Sequence, residues 1–243
     1  MRRFAFFVEG QTEALFVERL ITEIVSEKNV KLEFRVGHGG RRSSRSFVQG
    51  RIQPKNKPMA EALVYVLIYI SQSDNRVASD VRDQYDSLVK QGYEGILALR
   101  DVYPDFTLEE VGVLRSRLLF GQKTKPFPPT ILLAIMEIEA WLIAEHSHFA
   151  RMDPALTDAE VEAQLGVAFA GLDVERLPHP AETLAQIYRR VGLGYGKTQA
   201  QVDRTLAALD FATLYLSVSQ RVSELKRLCE SIEAMVPVTD PPS

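Results

Sequence analysis

Residues 4–13, Phe-Ala-Phe-Phe-Val-Glu-Gly-Gln-Thr-Glu, restrict the fold of this chain more than any other segment. Five apolar residues without alternation predict a strand over residues 4–8 that is buried on both faces. Glu9 follows directly, Gly10 predicts a tight turn, and Thr12-Glu13 opens a helix running to about residue 28. Val17, Leu20, Ile21, Ile24 and Val25 recur along that helix at the spacing of a single face. The turn sets Glu9 at the C-terminal edge of a buried strand, where open α/β sheets bind their ligands. A carboxylate in such a place carries a desolvation cost that a cation offsets.

Strand and helix patterns go on alternating over the first 150 residues, which favours an α/β sheet flanked by helices. Residues 31–36 alternate apolar and polar, as a half-exposed strand does, and residues 63–70 form a continuous apolar run expected at the sheet centre. Residues 74–91 predict a helix through Val77, Val81, Tyr85, Leu88 and Val89, closed by Gly92. Another short buried strand spans 95–99 and runs into Arg100-Asp101, and Thr107-Leu-Glu-Glu110 is a capping-box signature for a helix over 108–120. After Pro126 and Pro128-Pro129, residues 130–136 read as the last strand. From about residue 151 strand signals cease, and helices joined at Pro154, Pro178, Pro180 and a turn over 192–196 are expected. The last long helix carries Val218, Val222, Leu225, Cys229 and Ile232 as an apolar stripe, which packing explains and which a partner protein would also fit. The expected organisation is therefore an α/β domain over 1–150 and a helical region over 151–243.

Composition narrows the class. At 243 residues, 46% hydrophobic and 25% charged, the chain can bury a sizeable core. A net charge of −3 provides no global attraction to nucleic acid, so any such affinity must come from a local patch. The single cysteine, Cys229, excludes an internal disulfide and a cysteine-based zinc site, and it fits a reducing, cytoplasmic setting. No signal peptide and no membrane span are expected, because the longest apolar stretches, 62–70 and 126–136, fall well short of the ~20 residues a bilayer requires.

Three of the expected strands finish in acids: Glu9, then Asp101 with Asp105 beyond a Tyr-Pro turn, then Glu137-Ile138-Glu139. Parallel strands present their C-terminal ends along one edge, so these groups are candidate ligands. Mg²⁺ or Mn²⁺ takes oxygen donors and needs only a few carboxylates. Such an ion bridges phosphate oxygens, and a carboxylate off the metal can serve as general base. Simpler readings stand beside these: Glu13 and Glu139 as favourable charges in a first helical turn, and Asp105 as part of a proline turn.

Between Glu33 and Glu61 there is no acid, while Arg35, Arg41, Arg42, Arg45, Arg51, Lys55 and Lys57 supply seven positive charges. Residues 37–58 read as a basic loop that suits a phosphate backbone or a solvated linker equally. Gly194-Tyr-Gly-Lys197-Thr198 imitates the end of a phosphate-binding loop, but Val191 stands where the first glycine is needed, so nucleotide binding there is rejected. Lys197 remains a candidate phosphate contact or helix cap. His146 and His148 are expected at the surface, and Trp141 in the core or at its rim.

Val8-Glu9-Gly10-Gln11-Thr12-Glu13, Asp101-Val102-Tyr103, Glu137-Ile138-Glu139-Ala140 and Tyr195-Gly-Lys197-Thr198, in this order, resemble the TOPRIM-like proteins. The likeness is to small bacterial stand-alone proteins of unassigned function related to the OLD-family nucleases. That resemblance implies a Rossmann-like TOPRIM sheet with Glu9 as general acid/base and Asp101 as principal metal ligand. Asp105, Glu137 and Glu139 would be supporting ligands, and Arg41, Arg42, Arg45, Arg51 and Lys197 nucleic-acid contacts. Catalytic TOPRIM proteins carry Asp-x-Asp where this chain has Asp101-Val102-Tyr103. Two functions stay open: a metal-dependent nuclease or related phosphoryl-transfer enzyme acting on DNA or RNA, and an inactive module binding nucleic acid or protein in a bacterial defence or mobile-element system.

Overall fold

The computed structural model describes residues 1–39, 46–49 and 62–237. Arg41, Arg42, Arg45 and Arg51 lie outside the described residues. Strand β1 (Arg2–Val8) leads into helix α1 (Gln11–Val25), followed by β2 (Val30–His38), β3 (Ser46–Gln49), β4 (Val64–Ile70), α2 (Asp74–Lys90) and β5 (Gly95–Asp101). A 3₁₀ turn (Leu108–Glu110) precedes α3 (Val111–Leu119), and β6 (Thr130–Ala134) completes the strands among the described residues. The sheet order is β3-β2-β4-β1-β5-β6. β1 is parallel to both β4 and β5, β2 is parallel to β4, and β3 is antiparallel to β2. This is the mixed, mostly parallel α/β architecture expected from the alternating pattern.

The order follows from burial. β1, β4 and β5 are the continuous apolar runs, and a strand covered on both faces belongs in the interior of a parallel sheet. Half-exposed β2 lies further out. Phe7 stacks on Tyr69 across the β1–β4 pair, with ring centroids 4.5 Å apart. Beyond the strands, Ser71 N–H donates to the Val8 carbonyl (2.8 Å) and Gln72 N–H to that of Glu9 (2.6 Å), fixing the backbone where β1 ends.

One expectation is corrected here. Residues 37–58 are not loop throughout: β2 continues to His38, and residues 46–49 pair antiparallel with it as an edge strand. The Phe47 ring meets Tyr69 edge-on at 4.8 Å, which gives the short strand an apolar anchor. The chain turns from β1 into α1 within two residues, Glu9 and Gly10, as expected, with Gly10 in extended backbone (φ −132°) that any residue adopts. Its N–H donates to Glu13 Oε2 (2.9 Å) as part of the α1 cap, and a Cβ at this position would meet that same oxygen at 3.0 Å.

The chain divides into two compact units that interleave along the sequence. The first comprises the described parts of 1–100, 115–132 and 227–243; the second comprises 101–114 and 133–226. The second unit holds α4 (Glu139–Ala144), α5 (His148–Met152), α6 (Asp158–Leu165), α7 (Pro180–Arg189), α8 (Gln199–Ala208) and α9 (Phe211–Leu216). Inside it α4 packs on α7 and α5 on α8. Trp141, Phe149, Leu184, Ile187 and Tyr188 form its buried interior. The expected long terminal helix is a 3₁₀ turn (Val218–Gln220) followed by α10 (Ser223–Glu233), and the whole apolar stripe is buried. No helix among the described residues is long and apolar enough to cross a membrane.

His148 is another correction: it is fully buried rather than at the surface. Its Nδ1 lies 2.6 Å from the Glu145 carbonyl, which can only accept, so Nδ1 carries the proton. Nε2 is then left to accept from the Tyr188 hydroxyl at 2.9 Å. Burial pulls the imidazole down to about 4, with the Glu145 carbonyl opposing that fall. His146, by contrast, stacks on Phe169 and pairs with Asp158 at 3.0 Å while keeping part of its surface in water.

Two outcomes follow. Gly95 lies opposite Phe4 in the β1–β5 register, and a Cβ there would meet the Phe4 ring at 2.8 Å. Gly95→Ala is therefore expected to lower the unfolding free energy by about 1–3 kcal/mol in urea titration, the usual cost of overpacking; an unchanged midpoint would contradict this packing. For His148, the folded value lies below the unfolded one of ~6.5, so the unfolded chain binds the extra proton. The contribution to stability is complete above pH ~6.5 and declines toward pH 4 by roughly 3 kcal/mol. Nitrogen NMR of the ring should find it neutral at pH 5; a protonated ring at that pH would refute the assignment.

Candidate metal centre

Asp101 is the last residue of β5 and the first of the second unit. From there the chain runs beside residues 134–136, with Val102 N–H donating to the Ala134 carbonyl (3.1 Å) and Tyr103 N–H to that of Met136 (2.8 Å). Met136 takes a left-handed backbone (φ 64°), an uncommon conformation for a side chain of this size, and turns the chain into Glu137-Ile138-Glu139. The Ile138 N–H, at the start of α4, donates to Asp101 Oδ1 at 3.1 Å. The acids after β5 and β6 are thereby brought together. One carboxylate oxygen from each of Asp101, Glu137 and Glu139 lies within 4.8 Å of the others.

Each acid is held by a different donor. Glu137 Oε2 accepts from the Ala181 N–H (3.0 Å) in the first turn of α7, where the unpaired N–H groups of a ten-residue helix favour negative charge. His179, just before that helix, is left-handed (φ 49°) and meets the Tyr103 ring edge-on at 4.8 Å. Glu139, wholly buried, receives the Tyr195 hydroxyl on Oε1 at 2.8 Å. Its Oε2 sits 3.1 Å from the Lys197 ammonium but outside hydrogen-bonding geometry. The same ammonium is 3.4 Å from Glu137 Oε1.

Burial and charge act against each other in this cluster. Burial pushes the Glu139 carboxyl above its ordinary range; Lys197 opposes that rise and Glu137 adds to it. Burial alone would draw the Lys197 ammonium down, but the Glu139, Asp101 and Glu137 carboxylates outweigh it and hold the proton more tightly than usual. The acidic triad could hold a metal ion, and its donors are all oxygen, the kind that hard cations take.

Residues 8–214 match the family model of a domain of unknown function, DUF4276. The chain belongs to this family. The DUF4276 match spans Glu9, all three grouped acids and Lys197. No curated protein and no solved structure matches the chain.

Of the acids singled out from sequence in this DUF4276 chain, Asp101, Glu137 and Glu139 are grouped. Asp105 is exposed on the turn after Pro104 and is not one of the three. Glu9 follows β1 in the first unit and is not one of them either. Lys197, a candidate phosphate contact, is paired here with Glu137 and Glu139. Sequence reasoning missed Tyr195 and the α7 N-terminus. Tyr195 stands two residues before Lys197 inside the glycine-flanked turn, which was the available signal.

Tyr195→Phe removes the hydroxyl that satisfies a buried carboxylate. It is expected to lower the unfolding free energy by about 1–3 kcal/mol, read by chemical denaturation, and to leave the circular dichroism of the folded chain unchanged. An unaltered free energy would show that this hydroxyl does not hold Glu139.

Proposed function

We propose that the chain is a divalent-metal-dependent phosphoryl-transfer enzyme acting on nucleic acid, a nuclease in the TOPRIM manner. The observation that carries this reading is the grouping of Asp101, Glu137 and Glu139, buried or nearly so, within reach of one ion. A divalent cation held by these three carboxylates supplies Lewis-acid polarisation of a phosphoryl oxygen. The rest falls to the chain itself. The Ile138 and Ala181 N–H groups fix Asp101 and Glu137, and the Tyr195 hydroxyl fixes Glu139, so the oxygens are oriented before substrate arrives. Burial of Asp101 and Glu139 keeps bulk water from screening the charge that develops during transfer. Lys197, with 40% of its side chain exposed, offers the site a cation that can reach a phosphate. The run of seven positive charges between Glu33 and Glu61 supports nucleic acid as the substrate, because acids alone would repel a polyanion.

One observation favours the second reading, a catalytically silent binding module. The Lys197 ammonium already pairs with two of the three acids, and the second acid of Asp-x-Asp is Tyr103.

The purified chain, incubated with single- and double-stranded DNA and RNA in Mg²⁺ or Mn²⁺, is expected to cleave at least one of them. Asp101→Asn should lower that rate by at least about 100-fold, the scale on which losing one charge-stabilising group acts. Glu9→Gln in the same assay tests the acid/base role that the TOPRIM resemblance implies for that residue. Salt-sensitive binding with no cleavage under any of these conditions would instead establish the silent module.

A further inference from the structure

Lys197 is the resident cation of the acid cluster, yet its bonds there are poorly made. Charge-assisted N–H···O contacts settle at about 2.7–2.9 Å, and its two contacts are 3.4 Å to Glu137 and 3.1 Å to Glu139, the latter off the hydrogen-bonding direction. Glu139 Oε2 is thus a wholly buried oxygen facing the cluster with no hydrogen-bond donor of its own. The backbone beneath Lys197 is firmly held. Gln201 Oε1 accepts from the Gly196 N–H at 2.7 Å, and Thr198 with Gln201 forms the capping box of α8. The mobile part is the four-carbon stem and its ammonium, and that side chain is 40% exposed.

We propose that Lys197 is a displaceable counter-ion. A divalent metal entering among Asp101, Glu137 and Glu139 drives its ammonium off the Glu137–Glu139 pair and frees it to hold a phosphate oxygen of the substrate. The inference rests on the metal-dependent reading above and adds its regulation. The ammonium lies between the two oxygens that an entering ion would share, and a divalent cation beside it would be strongly repelled. Both cannot keep those positions. The lysine can move outward because its side chain is 40% exposed, whereas the carboxylates are held by Ile138, Ala181 and Tyr195. Before metal arrives the ammonium limits the repulsion among three clustered acids. Afterwards it is a free positive group at the mouth of the site, where an anionic ester must bind.

The test uses the wild-type chain first. Lys197 is labelled with a limiting amine-reactive reagent, with and without Mg²⁺, and its modification is followed by peptide mass spectrometry while calorimetry records metal binding. Displacement predicts labelling at least about threefold faster with Mg²⁺ bound; an unchanged rate with metal demonstrably bound overturns it. In parallel, Lys197→Met, checked for folding by circular dichroism, should bind Mn²⁺ at least tenfold more tightly than wild type. If wild type binds Mn²⁺ and Lys197→Met binds it equally or less well, the displacement idea fails and the metal site stands. If neither protein binds Mn²⁺, both fall together.

Discussion

Gathering three carboxylates where little water reaches them is the constraint on which the rest of the second unit turns. Mutual repulsion and lost hydration both oppose it, and the molecule meets that cost in pieces. Asp101 takes a backbone N–H from the start of α4, Glu137 one from the start of α7, and Glu139 a tyrosine hydroxyl. Lys197 adds one positive charge. Each compensating group comes from a separate stretch of the unit, so α4, α7 and the turn before α8 are fixed relative to one another by the acids they serve. A cluster without a role would be more stable as well-packed apolar side chains.

Much of this could be read before any coordinates. The interior strands were legible because residues 4–8, 63–70 and 95–99 are apolar without alternation, and only burial on both faces accounts for that. Glu9 and Asp101 stood out because acids directly after such a run are costly; of these two, Asp101 is one of the grouped acids. What escaped had physical reasons. Residues 46–49 are too few, and too closely set among Gly, Ser and Arg, to show a strand pattern; their pairing with β2 and the Phe47–Tyr69 contact create the strand. His148 sits on a five-residue helix, too short for periodicity to reveal which side is buried. The partnership of Lys197 with Glu137 and Glu139 joins positions some 60 residues apart, and no local pattern encodes such a contact.

The family match and the acid cluster answer different questions. Membership of DUF4276 over residues 8–214 says that the site belongs to the shared domain, because every residue in it falls inside the match. The chemistry must then be argued from donors, burial and charge. On those grounds the buried acidic triad could hold a metal ion, and the hard divalent ion is part of the function proposed above. Lys197 stands 3.4 Å from Glu137 and 3.1 Å from Glu139, and the proposal that it gives way to the metal starts from that placement.

A crystal of the full chain soaked in Mn²⁺ and measured at the manganese absorption edge tests the central claim most directly. The account requires an anomalous peak among Asp101, Glu137 and Glu139, with the Lys197 side chain turned away from Glu137. A saturated soak with no peak there, and the ammonium still between Glu137 and Glu139, would contradict it.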